Sequence, residues 1–276
     1  TKVVASGTCG TATGAAKWSY YRSESNSSLT ISDGSVDLSK SWKIEKLTIG
    51  ETEATAADIA GFTMSDILTS RVSLTVSGSV SATAGAINSL NPTSATVNGT
   101  SVPGSFFSNC IYLTAVTLTD TVTGIGDQAF INCVYLTTVT LADTVTSIGA
   151  QAFSGCTLLT SFDVNKAAVD QTAFKGCTRL MEFKVASGST NYTVVNGMLH
   201  SDKGATLYLS PTGKTGTLEM SHIGPNVKKI FLGYADIDFV LDVNGNDRSI
   251  AFEKTPGLQD KEIKGRGFVY SSQGMS

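Results

Sequence analysis

The sequence predicts a β-rich solenoid, in which coils of about two dozen residues stack along one axis around a spine of short parallel strands. Two observations predict it. First, three columns of residues recur at one step. Cys110, Cys133, Cys156 and Cys177 are 23, 23 and 21 positions apart, and the series Phe107, Phe130, Phe153, Phe174 and Leu113, Leu136, Leu159, Leu180 keep that step. Second, each leucine opens a segment spaced L-x-x-L-x-L: Leu113-Val116-Leu118, Leu136-Val139-Leu141, Leu159-Phe162-Val164 and Leu180-Phe183-Val185. Its second half alternates apolar and polar residues, which gives a short strand with one buried face.

A period of 20–29 residues with that spacing is a leucine-rich repeat. One coil cannot bury its own apolar face, but stacked coils share a continuous core. Phe and Cys precede each strand and the isoleucine of GIG or SIG follows it, so these too are expected to point inward. The register extends upstream with weaker consensus. Strand ends at Ile49, Val76, Val97, Leu118, Leu141, Val164 and Val185 are spaced 27, 21, 21, 23, 23 and 21, which makes KIEKLTI, RVSLTV and TSATV degenerate coils.

The elements follow in chain order. Residues 1–40 are expected to form a capping β-hairpin, because the first coil of a solenoid exposes an apolar face that something must cover. Residues 41–190 form the coils, with DQAF and AQAF as short helical or 3₁₀ turns between strands. Residues 191–276 hold an inserted β-hairpin, degenerate repeats and a C-terminal cap. There, Asn196-Gly197 between YTVV and MLHS signals a type I′ turn, and FVLDV and SIAFE read as two strands joined by the polar turn NGND. The whole reads as one continuous elongated domain.

The wording of the repeats, LTxVTLxDTVTSIGxQAFSGC, resembles the BspA-like leucine-rich repeats of bacterial surface proteins. ASGTCG with WSY and LTISDGS (5–35) resembles the N-terminal hairpin of that family. Residues 191–216 resemble its β-hairpin insertion, and HIGPNVKKI (222–230) a worn copy of the DTVTSIG turn. The likeness covers most of residues 1–232. It implies a non-catalytic solenoid, secreted or on the cell surface, that binds host or matrix proteins. Several members are long multi-domain chains, which leaves both a complete protein and a fragment of one open for this chain.

Composition shows an ordinary apolar content with a low charge content. The chain has 276 residues, 41% hydrophobic and 16% charged, with a net charge of −3. Such a chain can bury a substantial core. The mild negative balance argues against nucleic acid, which demands a basic stripe. KEIKGRG near the end reads as a solvated loop. No run of eighteen apolar residues is present, so no membrane span is predicted. The chain begins at Thr1 and shows no signal peptide, so an extracellular place rests on the resemblance. Sequons at Asn26, Asn98 and Asn191 read as chance matches in a Ser- and Thr-rich chain.

Catalytic and cofactor signals are thin. His200 and His222 are the only histidines, no GxSxG or HExxH occurs, and no base is nominated for a nucleophile. The GxGxxA at Gly124–Ala129 lies inside a repeat and reads as a turn glycine. Gly213-Lys-Thr215 lacks the glycine a phosphate loop needs five positions earlier, where Tyr208 stands. Asp242–Glu253 resembles a calcium loop with its glycine at the wrong position and reads as a hairpin turn. Five cysteines leave at least one thiol free. The four repeat cysteines read as a ladder of buried thiols, since parallel side chains rarely meet disulfide geometry. No cofactor or metal is expected.

The outward strand residues form the candidate surface. They run from Lys46 and Thr48 through Ser73, Thr75, Ser94, Thr96, Ala115, Thr117, Thr138 and Thr140 to Ser161, Asp163, Glu182 and Lys184. The middle is hydroxylic and uncharged. The favoured binding residues are Thr117, Thr138, Thr140, Asp163, Glu182 and Lys184 on this ladder, with Tyr192 and Tyr208 on the projecting hairpin. The expected partner is an extracellular protein or glycan, bound by a monomer. A spacer without a ligand is the other reading. Ice binding through Thr-x-Thr rows is remote, because the spacing is uneven.

Overall fold

The computed structural model describes residues 2–9, 13–36, 42–68, 71–82, 87–214, 216–219, 222–230, 239–242, 250–252, 263–264 and 268–270. Within them the chain winds into a β-solenoid of about seven turns with mostly parallel strands. Val72–Ala82, Pro92–Gly99, Ala115–Leu118 and Thr138–Thr140 pair in parallel, and Leu74, Ala95, Val116 and Val139 face one another in that order. A second parallel ladder joins Gly124–Ile125, Ser147–Ile148 and Ala168–Val169 on another side of the coil. At Gly149 neighbouring coils come so close that a Cβ would lie 2.8 Å from the Asp127 backbone nitrogen, which is why glycine follows the isoleucine there.

The predicted columns fill the space between the ladders. Phe107, Phe130, Phe153 and Phe174 stack with centroids 5.0, 5.2 and 5.5 Å apart and planes within 7° of parallel. All five cysteines are free and buried. The thiols of Cys133, Cys156 and Cys177 donate to the carbonyls of Phe107, Phe130 and Phe153 at 3.2, 3.3 and 3.1 Å. The thiol ladder is therefore a row of small apolar groups with its weak donors satisfied.

The segments read as helical turns are chains of tight turns instead. Gln128, Asn132 and Gln151 have φ of 58°, 59° and 54°, the left-handed region, which ends a helix at once. The amides of Gln128, Phe130 and Asn132 then donate to Ala150, Ala152 and Ser154 of the next coil at 2.8, 2.8 and 2.7 Å. A helix would use such groups internally; here they join coil to coil. Two short α-helices do occur at Ala56–Ile59 and Met64–Ile67, before the regular repeats. Thr55 and Asp58 cap the first reciprocally, at 3.3 Å and 3.0 Å.

The N-terminal region is larger than a hairpin. Val3–Thr8, Lys17–Arg22 and Ser27–Val36 form an antiparallel meander, and Ser27–Val36 pairs in parallel with Val72–Ala82. The meander thus extends the spine sheet. KIEKLTI, expected as the first coil, pairs antiparallel with Val3–Thr8 on the far side. Ile31, not Ile49, lies in line with Val76. Alternation shows that a strand has one buried face; it carries neither the direction nor the partner of the strand.

The spine also divides. Thr138–Thr140 is the edge of the first sheet, and Ser161–Asp163 pairs with Glu182–Lys184 in a separate one. Phe162 stands here where the two preceding coils have Val116 and Val139. Its ring wedges against Phe153 at 4.8 Å and Phe174 at 4.7 Å. Val139 and Leu141, beside the division, are only partly buried.

After the last regular coil, Thr193–Val195 and Met198–Ser201 form the expected hairpin, with Asn196 and Gly197 at φ of 50° and 76°. Thr206–Leu209 adds a third, antiparallel strand and then pairs in parallel with Lys229–Ile230. The ladder continues through Ile250–Phe252 to Phe268–Tyr270. Gly216–Glu219, Phe239–Asp242 and Ile263–Lys264 form a parallel ladder of their own. FVLDV and SIAFE are thus both strand-bearing, but they lie in different sheets of a continuing repeat and do not make a hairpin. Most of the Asp242–Glu253 loop, 243–249 and 253, lies outside the described residues.

Candidate binding surface

Register pairing of parallel strands lines equivalent residues into rows. Ser28, Ser73, Ser94, Ala115 and Thr138 make one row, and Thr30, Thr75, Thr96, Thr117 and Thr140 make the next. Asp163 and Lys184, with Ser161 and Glu182, pair on the separate two-stranded sheet. There Lys184 and Glu182 form an exposed ion pair of 3.0 Å, which contributes little to stability. Lys46 and Thr48 face Ser6 and Val4 on the antiparallel edge.

The antiparallel meander adds residues to this face that the ladder did not include. Tyr21 pairs with Ser28 and Val4 pairs with Tyr21, and both side chains are 38% exposed. The signal lay in KWSYYR: Trp18 and Tyr20 alternate inward, which turns Tyr21 outward. Tyr112 and Tyr135, each two positions after a ladder cysteine, stand at 40% and 53% exposure. The Arg71 guanidinium lies over the Tyr112 ring, 5.7 Å from its centroid.

The hydroxyls divide into two classes. Those in the turns and before the strands are taken by the fold. Thr114 donates to Thr93 O at 2.9 Å, Thr137 to Thr114 O at 3.1 Å, Thr123 to Thr100 O at 3.0 Å and Thr146 to Thr123 O at 2.9 Å. Ser73 and Ser94 bond each other at 2.9 Å. Among the described residues, the side chains of Thr117, Thr138 and Thr140 bond nothing in the protein, and all three are exposed. Each offers one donor and two lone pairs outward.

Tyr192 and Tyr208 are placed otherwise than expected. Tyr192 is 7% exposed, and its hydroxyl accepts the Val169 amide at 3.0 Å. Tyr208 donates to the Val169 carbonyl at 2.7 Å, with the two rings 5.1 Å apart. Val169 ends the three-stranded ladder, and the two phenols supply the bonds that another strand would have made. Burial and the neighbouring Tyr192 push the Tyr208 phenol well up. Both rings close a sheet edge, so as outward ligand contacts they are withdrawn.

His200 is fully buried, with Nδ1 3.0 Å from Met198 O and Nε2 3.5 Å from the Gly224 amide. Burial lowers its pKa. Both ring nitrogens are occupied by backbone, so it is not placed as a general base. Among the described residues, no three His, Cys, Asp or Glu side chains gather as a metal site, and no helix is long and apolar enough to cross a membrane.

The repeat recurs in known proteins. Residues 89–196 match the BspA type leucine rich repeat region in six copies. No curated protein matches the chain. The crystal structure of the pneumococcal vaccine antigen PcpA superposes with a TM-score of 0.50 at 16% identity, over 93% of this chain and 69% of that one. A leucine-rich repeat protein from Eubacterium ventriosum gives 0.45 at 17% identity, over 92% and 66%. A leucine rich cell surface protein from Faecalibacterium prausnitzii gives 0.35 at 18%, over 82% and 68%.

Proposed function

We propose that this chain, with BspA-type leucine-rich repeats over residues 89–196, is a non-catalytic recognition module. It works outside the cell or on its surface as a monomer, and adheres to a protein or glycan. The observation that carries the reading is the division of hydroxyls: Thr117, Thr138 and Thr140 face outward unused, while threonines elsewhere in the same coils bond the neighbouring coil. Stacked repeats present such rows as one extended surface. Tyr21 beside Val4 gives that surface the exposed aromatic an interface core uses as an anchor. Asp163, Glu182 and Lys184 give its far end charge. The repeat family and the vaccine-antigen name of one structural neighbour support the location.

The test is a binding screen of the chain against extracellular-matrix proteins and glycans. Saturable micromolar binding is expected, weakened about tenfold, or ~1.4 kcal/mol, by Tyr21→Ala or by Thr117→Val with Thr140→Val. Absence of binding at micromolar concentration would leave a spacer that only holds other domains apart. Turnover of any substrate would refute the non-catalytic assignment.

A further inference from the structure

His200 lies on Met198–Ser201, the strand between Thr193–Val195 and Thr206–Leu209, opposite Thr193 on one side and Leu207 on the other. Its ring has no exposure. A carbonyl only accepts, so Nδ1, 3.0 Å from Met198 O, carries the proton. That leaves a lone pair on Nε2, which the Gly224 amide addresses at 3.5 Å. The neutral ring therefore fits its site as acceptor toward Gly224 and donor toward Met198. The walls are apolar: a methyl placed on Gly224 would lie 3.6 Å from Val195 and 3.8 Å from both His200 and Val227.

Among the described residues, no counter-charge faces the ring. On the turn after its own strand, Asp202 is exposed and accepts from Thr206 at 2.8 Å and Ser201 at 3.4 Å; Lys203 beside it is exposed. On Thr206–Leu209 the one titratable group, Tyr208, is bonded to Val169, as is Tyr192 ahead of Thr193. Along 222–230 the ionisable groups are His222, Lys228 and Lys229, which as cations would oppose an imidazolium.

We infer that His200 is an acid-released pin between the three strands Thr193–Val195, Met198–Ser201 and Thr206–Leu209 and the coil at 222–230. A second proton on Nε2 sets donor against the Gly224 N–H and places an unpaired charge among Val195 and Val227, so the coil lets go. The location gives this a mechanical consequence. The Asn196-Gly197 turn rests on the last regular coil, where Phe183 N donates to Gly197 O at 2.8 Å. Asn196 Nδ2 holds the His222 carbonyl at 2.9 Å, and Thr206–Leu207 begins the ladder that runs on through Lys229–Ile230. The pin thus sits where one run of coils hands over to the next, and acid loosens that joint.

The sign follows from burial. The docked ring holds its proton less tightly than the ordinary histidine near 6.5. Docking is therefore complete above about pH 6.5 and is lost as pH falls toward the docked value. Amide exchange of Leu199, Leu207 and Val227 in the full chain, corrected for intrinsic rates, should show an opening constant that rises about tenfold per pH unit below ~6.5. His200→Gln should flatten that profile, and His222→Asn should keep it. An equal slope in the wild type and His200→Gln overturns the inference. If His200→Gln does not fold, ring-nitrogen NMR of the wild type decides: titration below the ordinary histidine range supports the pin, and titration at or above it overturns it.

Discussion

Phe130 stacks on Phe107 with ring centroids 5.0 Å apart and planes 7° from parallel. The pair is one step of a column that continues to Phe153 and Phe174. Equivalent side chains in registered coils repeat at the strand spacing of ~4.8 Å, which forces the rings into nearly parallel, offset contact. Phe130 has a ring on both faces and no exposure, so little around it can collapse into a void. Phe130→Ala should cost about 3–5 kcal/mol, measured by urea denaturation, and Phe130→Leu clearly less. A cost below ~1 kcal/mol would show that the column does not support the stack.

The cysteine ladder gives a chemical test. Burial pushes the thiols of Cys133 and Cys177 up to about 12. A thiolate is the reactive form, so a thiol reagent at pH 8 should label none of the five cysteines in the native protein within minutes and all five after unfolding. The raised values also set a direction with pH. The stability they carry is full below the unfolded value near 9 and is lost as pH rises toward 12. The urea midpoint should fall from pH 8 to pH 10, and Cys133→Ala should reduce the fall.

What the sequence revealed follows from what repeats can encode. Three columns in one register, Phe, Cys and Leu, fix the coil, because only stacking lets all three be buried at once. Pairing direction was not legible, since KIEKLTI ends on the same Leu-Thr-apolar triplet as RVSLTV yet joins Val3–Thr8 antiparallel. The face residues Thr117, Thr138 and Thr140 were legible by parity alone. Tyr192 and Tyr208 were misplaced because their partner is the backbone of Val169, 23 and 39 positions away. No local pattern reports which sheet edge a phenol will close.

The hairpin turn offers a third test. Gly197 has φ of 76°, and a Cβ there would lie 2.8 Å from Glu182 Cβ and 3.0 Å from its Cα. Gly197→Ala therefore meets both backbone strain and a clash, and should cost more than about 1 kcal/mol. The loss should be felt across the contact: the Phe183 amide, which donates to Gly197 O, should exchange faster. Unchanged protection at Phe183 would show that the turn is not docked on the last coil.

Two threonines one strand apart in role separate fold from function. Thr137 donates to Thr114 O at 3.1 Å, so Thr137→Val removes a coil-to-coil bond and should cost about 0.5–1.5 kcal/mol. Among the described residues Thr140 bonds nothing, and it is exposed, so Thr140→Val should stay within about 0.5 kcal/mol of wild type, helped by the strand preference of valine. Ligand binding should show the reverse order, with Thr140→Val weakening it and Thr137→Val leaving it alone. If instead Thr140→Val destabilises as much as Thr137→Val, the outward hydroxyls belong to the scaffold and the face loses its claim to a ligand.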